Sequence, residues 1–113
     1  MQDPTKFHCI PCEGGVTPFT PAKAKEYLKM TRSWSLLNEK PLKIQREFTF
    51  KNFKEALNFV NKVGRLAESE GHHPDILLYS YKRVAITLYT HAIKGLSEND
   101  FIIAAKINNL ISN

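Results

Sequence analysis

Residues 42–75 read LKIQREFTFKNFKEALNFVNKVGRLAESEGHHPD, and within this stretch the apolar spacing changes from a period of two to one near 3.6. Leu42, Ile44, Phe48 and Phe50 fall on one face, while Lys43, Gln45, Glu47 and Thr49 fall on the other, the pattern of a half-buried strand. Arg46 interrupts the apolar face, and a sheet-edge position is the one account the alternation offers for it. Asn52 followed by Glu55 forms a capping box that opens a helix. Phe53, Ala56, Leu57, Val60, Gly64 and Ala67 then make one stripe, with Phe59, Val63 and Leu66 as a second beside it. A single sheet needs only the first stripe, so the second is either a wide core face or a subunit contact. Gly71 stops the helix, because glycine accepts the left-handed cap without a steric penalty. A strand with one polar face indicates an antiparallel sheet covered on one side only.

Downstream, Ile76–Tyr79 and Val84–Thr90 read as two further strands joined by a hairpin over Ser80–Arg83. Val84, Ile86 and Leu88 share one face. Ser97-Glu98-Asn99-Asp100 gives a second capping box, and Ile103, Ala104, Ile107, Leu110 and Ile111 supply the buried stripe of the helix it opens. Upstream, Thr20 caps a first helix with Pro21 at its first position, where Ala24, Tyr27, Leu28 and Thr31 share a face. Trp34–Leu37 is a short strand, and Asn38-Glu39-Lys40-Pro41 turns it into the next. Pro4, Pro11, Pro18 and Gly14-Gly15 make residues 1–19 an irregular lead-in. The order α-β-β-α-β-β-α predicts an α+β fold over residues 20–113: a four-stranded antiparallel sheet with three helices on one face.

A chain of 113 residues is one domain, able to bury about two-thirds of its unfolded surface and without room for a separate cofactor domain. The excess of 16 Lys and Arg over 11 Asp and Glu gives a mild +5, spread along the chain with no run of five like charges. Nucleic acid is therefore not an expected partner. No apolar stretch approaches the ~20 residues of a membrane helix, the N-terminus has no signal pattern, and two cysteines are too few for a disulfide framework. The expectation is a soluble, cytoplasmic protein.

Three of the four histidines, His72, His73 and His91, lie within one short stretch of chain. An imidazole exchanges protons near neutral pH. Neighbouring strand residues face opposite ways, so His72 and His73 share a site only if the backbone bends, and Gly71 and Pro74 supply the bend. The simpler roles are a histidine pair that caps carbonyls, Asp100 as a helix cap, Glu68 as a solvated helix charge and Trp34 as core. Spacing also leaves a three-histidine zinc site open. Cys9-Ile10-Pro11-Cys12 has C-x-x-C spacing, but even with His8 a fourth zinc ligand is missing, and the surroundings do not suit a redox motif.

Taken together, Glu68-Ser69-Glu70-Gly71-His72-His73-Pro74, then Tyr81, Thr90-His91, Gly95-Leu96-Ser97 and Asp100 resemble the signature of the pterin-4a-carbinolamine dehydratases. The likeness reaches upstream through Phe48-Thr49-Phe50-Lys51-Asn52-Phe53 to Trp34. It implies dehydration of 4a-hydroxytetrahydropterin to quinonoid dihydropterin, a step that recycles the cofactor of aromatic amino acid hydroxylases. Such an elimination needs proton donors and acceptors and no metal or other cofactor. The resemblance implies His72 and His91 as acid/base groups on the 4a-hydroxyl, with His73 orienting the pterin and sharing proton transfer. It further implies Glu68 and Asp100 behind the histidines, and Gly71, Pro74, Thr90 and Trp34 around the substrate. It also implies a homodimer or homotetramer. Some members of the family are non-catalytic interaction or assembly factors; these tend to lose the histidines that this chain keeps.

Overall fold

A computed structural model describes residues 3–10 and 16–111. Helix α1 spans Pro21–Leu28, strands β1 and β2 span Ser35–Leu37 and Lys43–Thr49, and helix α2 spans Phe53–Glu70. Strands β3 and β4 span Asp75–Tyr79 and Arg83–Leu88, and helix α3 spans Glu98–Ile111. The strands form one antiparallel sheet in the order β1-β2-β4-β3, so the predicted α+β order holds. Pairing of Ile44 with Leu88 and of Phe48 with Val84 places these residues and Ile86 on the helix-covered face, where all five are buried. Fully burying side chains of this size contributes about 1.5–3 kcal/mol each. On the opposite face the register sets Gln45 beside Thr87, and the amide donates to the hydroxyl at 2.9 Å.

Both expected caps on the N-terminal sides of α1 and α2 form: Thr20 Oγ1 accepts from the Lys23 amide at 3.2 Å and Asn52 Oδ1 from the Glu55 amide at 2.9 Å. The buried line of α2 is Ala56, Phe59, Val63 and Ala67, two residues from each stripe, so the core face is centred between the stripes and not on the first. Phe53 and Leu57 of the expected stripe stand in solvent, 51% and 41% exposed. The reason is aromatic packing. Phe59 fits against Phe48 and Phe50, with ring centroids 4.7 and 4.9 Å apart, and this turns the Phe59–Val63 line of the helix inward.

Arg46 is not at an edge, because β2 lies between β1 and β4. Its guanidinium lies over the Phe48 ring and donates to Asn108 Oδ1 at 2.5 Å. Trp34 Nε1 donates to the same oxygen at 2.9 Å, and Asn108 Nδ2 donates to the Arg32 carbonyl at 3.0 Å. One asparagine of α3 thus satisfies polar groups from β2 and from the approach to β1, which allows the charged group onto the apolar face.

Helix α3 is buried over much more than its predicted stripe: Phe101 to Ala105 are all buried. Phe19 and Tyr27 pack on Phe101. Pro4–Lys6 form a single 3-10 turn that is capped by Asp3 and packs on α3. Among the described residues, no helix is long and apolar enough to cross a membrane.

Candidate active site

Gly71 takes the left-handed conformation (φ 66°, ψ 28°), and the amides of Gly71 and His72 both donate to the Ala67 carbonyl. The helix therefore ends abruptly, and the two following histidines diverge. The His72 side chain is 11% exposed and its Nε2 donates to Asp100 Oδ1 at 2.7 Å. His73 is 62% exposed and donates to Glu68, one turn back on α2.

Asp100 is fully buried in the first turn of α3. Besides His72 it accepts from the Ser97 amide at 3.0 Å and from Thr90 Oγ1 at 2.8 Å. The Thr90 proton goes to the carboxylate, so Ser97 Oγ, 2.8 Å away, supplies the donor between the two hydroxyls. A helix N-terminus favours a carboxylate at this place. Asp100 is thus both the expected cap and the group that fixes His72. A carboxylate on one imidazole nitrogen fixes the tautomer and leaves the other nitrogen, Nδ1, as the proton-exchanging atom.

Strand β4 ends before Thr90, short of the predicted boundary. Thr90 and Gly95 pair through their backbones, closing a small loop whose 3-10 turn is His91–Ile93. His91 therefore opens this turn and does not end a strand. Its side chain is exposed, with its ring 4.1 Å from that of Tyr89.

His72, His73 and His91 line one cleft of about 230 Å³ with Gly71, Thr90, Ala92, Asn99 and Ile10. Its volume lies below the usual range for drug-sized ligands, which suits a small ring system. Larger clefts beside Phe50 and along Val60–Glu68 contain no histidine. Pro74 leads into β3 and does not line the cleft. Tyr81 sits in the β3–β4 turn, exposed and likewise apart from it. Trp34 is buried core; its partner Asn108 lies nine residues beyond Asn99, about 14 Å along α3, so the indole is not a wall of this cleft. Asn99 and Ile10 were not singled out by sequence reasoning. The signals were adjacent: Asn99 lies inside the capping box, and Ile10 inside the C-x-x-C segment. Cys12 of that segment lies outside the described residues. Among the described residues no three His, Cys, Asp or Glu side chains are grouped as metal ligands are.

Residues 17–110 match the family model described as pterin 4 alpha carbinolamine dehydratase. A protein of Alkaliphilus metalliredigens named for pterin-4-alpha-carbinolamine dehydratase is 52% identical, over 96% of each chain. A solved structure from Brucella melitensis, titled a transcriptional coactivator/pterin dehydratase, superposes with a TM-score of 0.76 at 32% identity, covering 83% of this chain and 98% of that one. A second, titled a pterin dehydratase-like protein and RuBisCO assembly factor of the alpha-carboxysome, has a TM-score of 0.61 at 25% identity, covering 73% and 93%.

Proposed function

This chain belongs to the pterin 4 alpha carbinolamine dehydratase family of hydro-lyases, and from that premise we propose that it removes water from a 4a-hydroxytetrahydropterin to give a quinonoid dihydropterin. The observation that carries the reading is the convergence of His72, His73 and His91 on one small cleft, with a buried carboxylate fixed behind His72. The reaction needs a proton delivered to the departing 4a-hydroxyl and one removed from a ring nitrogen. Asp100 holds His72 Nε2 and stabilises the imidazolium, so His72 gives and takes the proton at Nδ1. His91, lining the same cleft, shares the work on the hydroxyl. His73, tethered by Glu68, orients the pterin and shares proton transfer, while Thr90 and the backbone at Gly71 border the ring. Lone pairs of the substrate's own nitrogens supply the electronic push.

The enzyme serves a pterin-dependent hydroxylase in the cytoplasm and self-associates, with the exposed Phe53 and Leu57 of α2 as contact residues. A second reading, a non-catalytic assembly factor, is motivated by the structural neighbour of that kind; the complete histidine set favours the enzyme. The deciding experiment is a dehydration assay on 4a-hydroxytetrahydropterin, run with and without chelator. Wild-type protein should be active in both, and His72→Ala and His91→Ala should each be slowed at least tenfold, since acid/base groups contribute roughly 10²–10⁴-fold. Full activity in both variants refutes the assignment, and an inactive wild type points to the assembly factor.

A further inference from the structure

We infer that residues 8–10 are a built part of the substrate site, and that Ile10 is a substrate-contacting residue that covers one face of the bound pterin. The inference rests on the dehydratase reading for the identity of the substrate. Residues 8–10 precede the stretch, 17–110, that the family model matches, and Ile10 lines the cleft with the three histidines.

The segment is clamped at successive residues. The Ile10 amide donates to Asn99 Oδ1 at 3.1 Å, and Asn99 Nδ2 donates back to the Ile10 carbonyl at 2.6 Å, so one carboxamide grips both backbone groups. The Cys9 amide donates to Glu70 Oε1 at 2.8 Å, and His8 Nδ1 donates to Glu70 Oε2 at 3.1 Å. Lys106 Nζ reaches the same carboxylate at 2.5 Å. Both anchors are themselves buried, Asn99 at 3% and the Glu70 side chain at 6% exposure. They also sit on the two helix ends next to the His72–Asp100 pair: Glu70 is two residues before His72, and Asn99 is one before Asp100. Whatever fixes the catalytic geometry therefore fixes the segment as well.

Against this held backbone, the Ile10 side chain is 71% exposed. Among the described residues it is the one branched aliphatic side chain lining the cleft, beside the histidines, Thr90, Asn99, Gly71 and Ala92. A pterin ring has a polar edge and two apolar faces. The imidazoles serve the polar edge and the 4a-hydroxyl, which stands off one face, and an aliphatic side chain at the rim serves the other face, where the ligand removes both surfaces from water.

The test uses the full chain with Ile10→Ala and Ile10→Val. Steady-state kcat and KM are measured for dehydration, and the Kd of 7,8-dihydrobiopterin, which has no 4a-hydroxyl to lose, is measured by titration calorimetry. Ile10→Ala should raise both KM and Kd roughly tenfold, near the low end of what missing methylenes do in a pocket, with kcat within about twofold. Ile10→Val should restore most of the affinity. Unchanged KM and Kd in Ile10→Ala, or a fall in kcat alone, overturns the inference. Because the side chain is exposed, thermal unfolding of both variants should match wild type, and a lowered midpoint would count against a contact role. A wild type that binds dihydrobiopterin but does not dehydrate defeats the dehydratase reading, and the Kd comparison still decides the contact.

Discussion

Glu70 is nearly dry, and burial alone would raise its pKa. Lys106, the Cys9 amide and His8 outweigh that burial and hold the carboxyl down from 4.5 to about 2. A carboxylate with a depressed folded pKa stabilises the fold above its unfolded pKa and loses that contribution as pH falls through the folded value. The shift corresponds to about 3 kcal/mol, present above pH 5 and lost between about pH 4.5 and 2. Urea unfolding of wild type and Glu70→Gln should therefore differ most near pH 6 and converge toward pH 2; a difference independent of pH would show that the carboxylate charge is not what holds the lead-in. Nothing local in the sequence marks Glu70, since its partners lie about sixty residues upstream and thirty-six downstream. The His72–Asp100 pair was different: both residues stood out in the sequence, one as a possible proton carrier and one as a cap.

At the scale of elements, the 90–95 loop depends on contact with the segment before α1. A β-carbon on Gly95 would lie 2.6 Å from Pro18 Cβ, inside any real contact, and a proline ring cannot swing aside. Gly95→Ala should cost about 1–3 kcal/mol, seen as a lower melting midpoint, and should also reduce kcat because the Thr90–Gly95 pairing positions His91. A variant with unaltered melting and kcat would show the loop to be more yielding than its packing implies. Element order and most boundaries were legible because each rests on a local signal: the caps at Thr20 and Asn52, the alternation through β2, the stop at Gly71. The inward face of α2 was not, because two adjacent apolar stripes leave its centre open until Phe48 and Phe50 draw Phe59 inward. The role of Arg46 was equally hidden, since the acceptor that admits it to the core is sixty-two residues away.

On the scale of the molecule, one core joins all three helices to one face of the sheet. That leaves Phe53 and Leu57 in water on the far side of α2, an apolar pair next to the half-buried Val60. If this stripe is where copies meet, Phe53→Ser with Leu57→Ser should shift the protein to a lighter species in sedimentation velocity; an unchanged sedimentation coefficient excludes this face as the contact. Pro4–Lys6 belong to the architecture through α3, against which their turn packs and whose first turn carries the Asp100 carboxylate. The same helix carries Asn108 near its other end, where it meets the indole of Trp34. Trp34 is the chain's only tryptophan. The molecule's brightest intrinsic fluorophore is thus wired to the structural end of α3 and removed from the histidine end, so its emission is a gauge of whether the fold is assembled and a poor gauge of whether the cleft is filled.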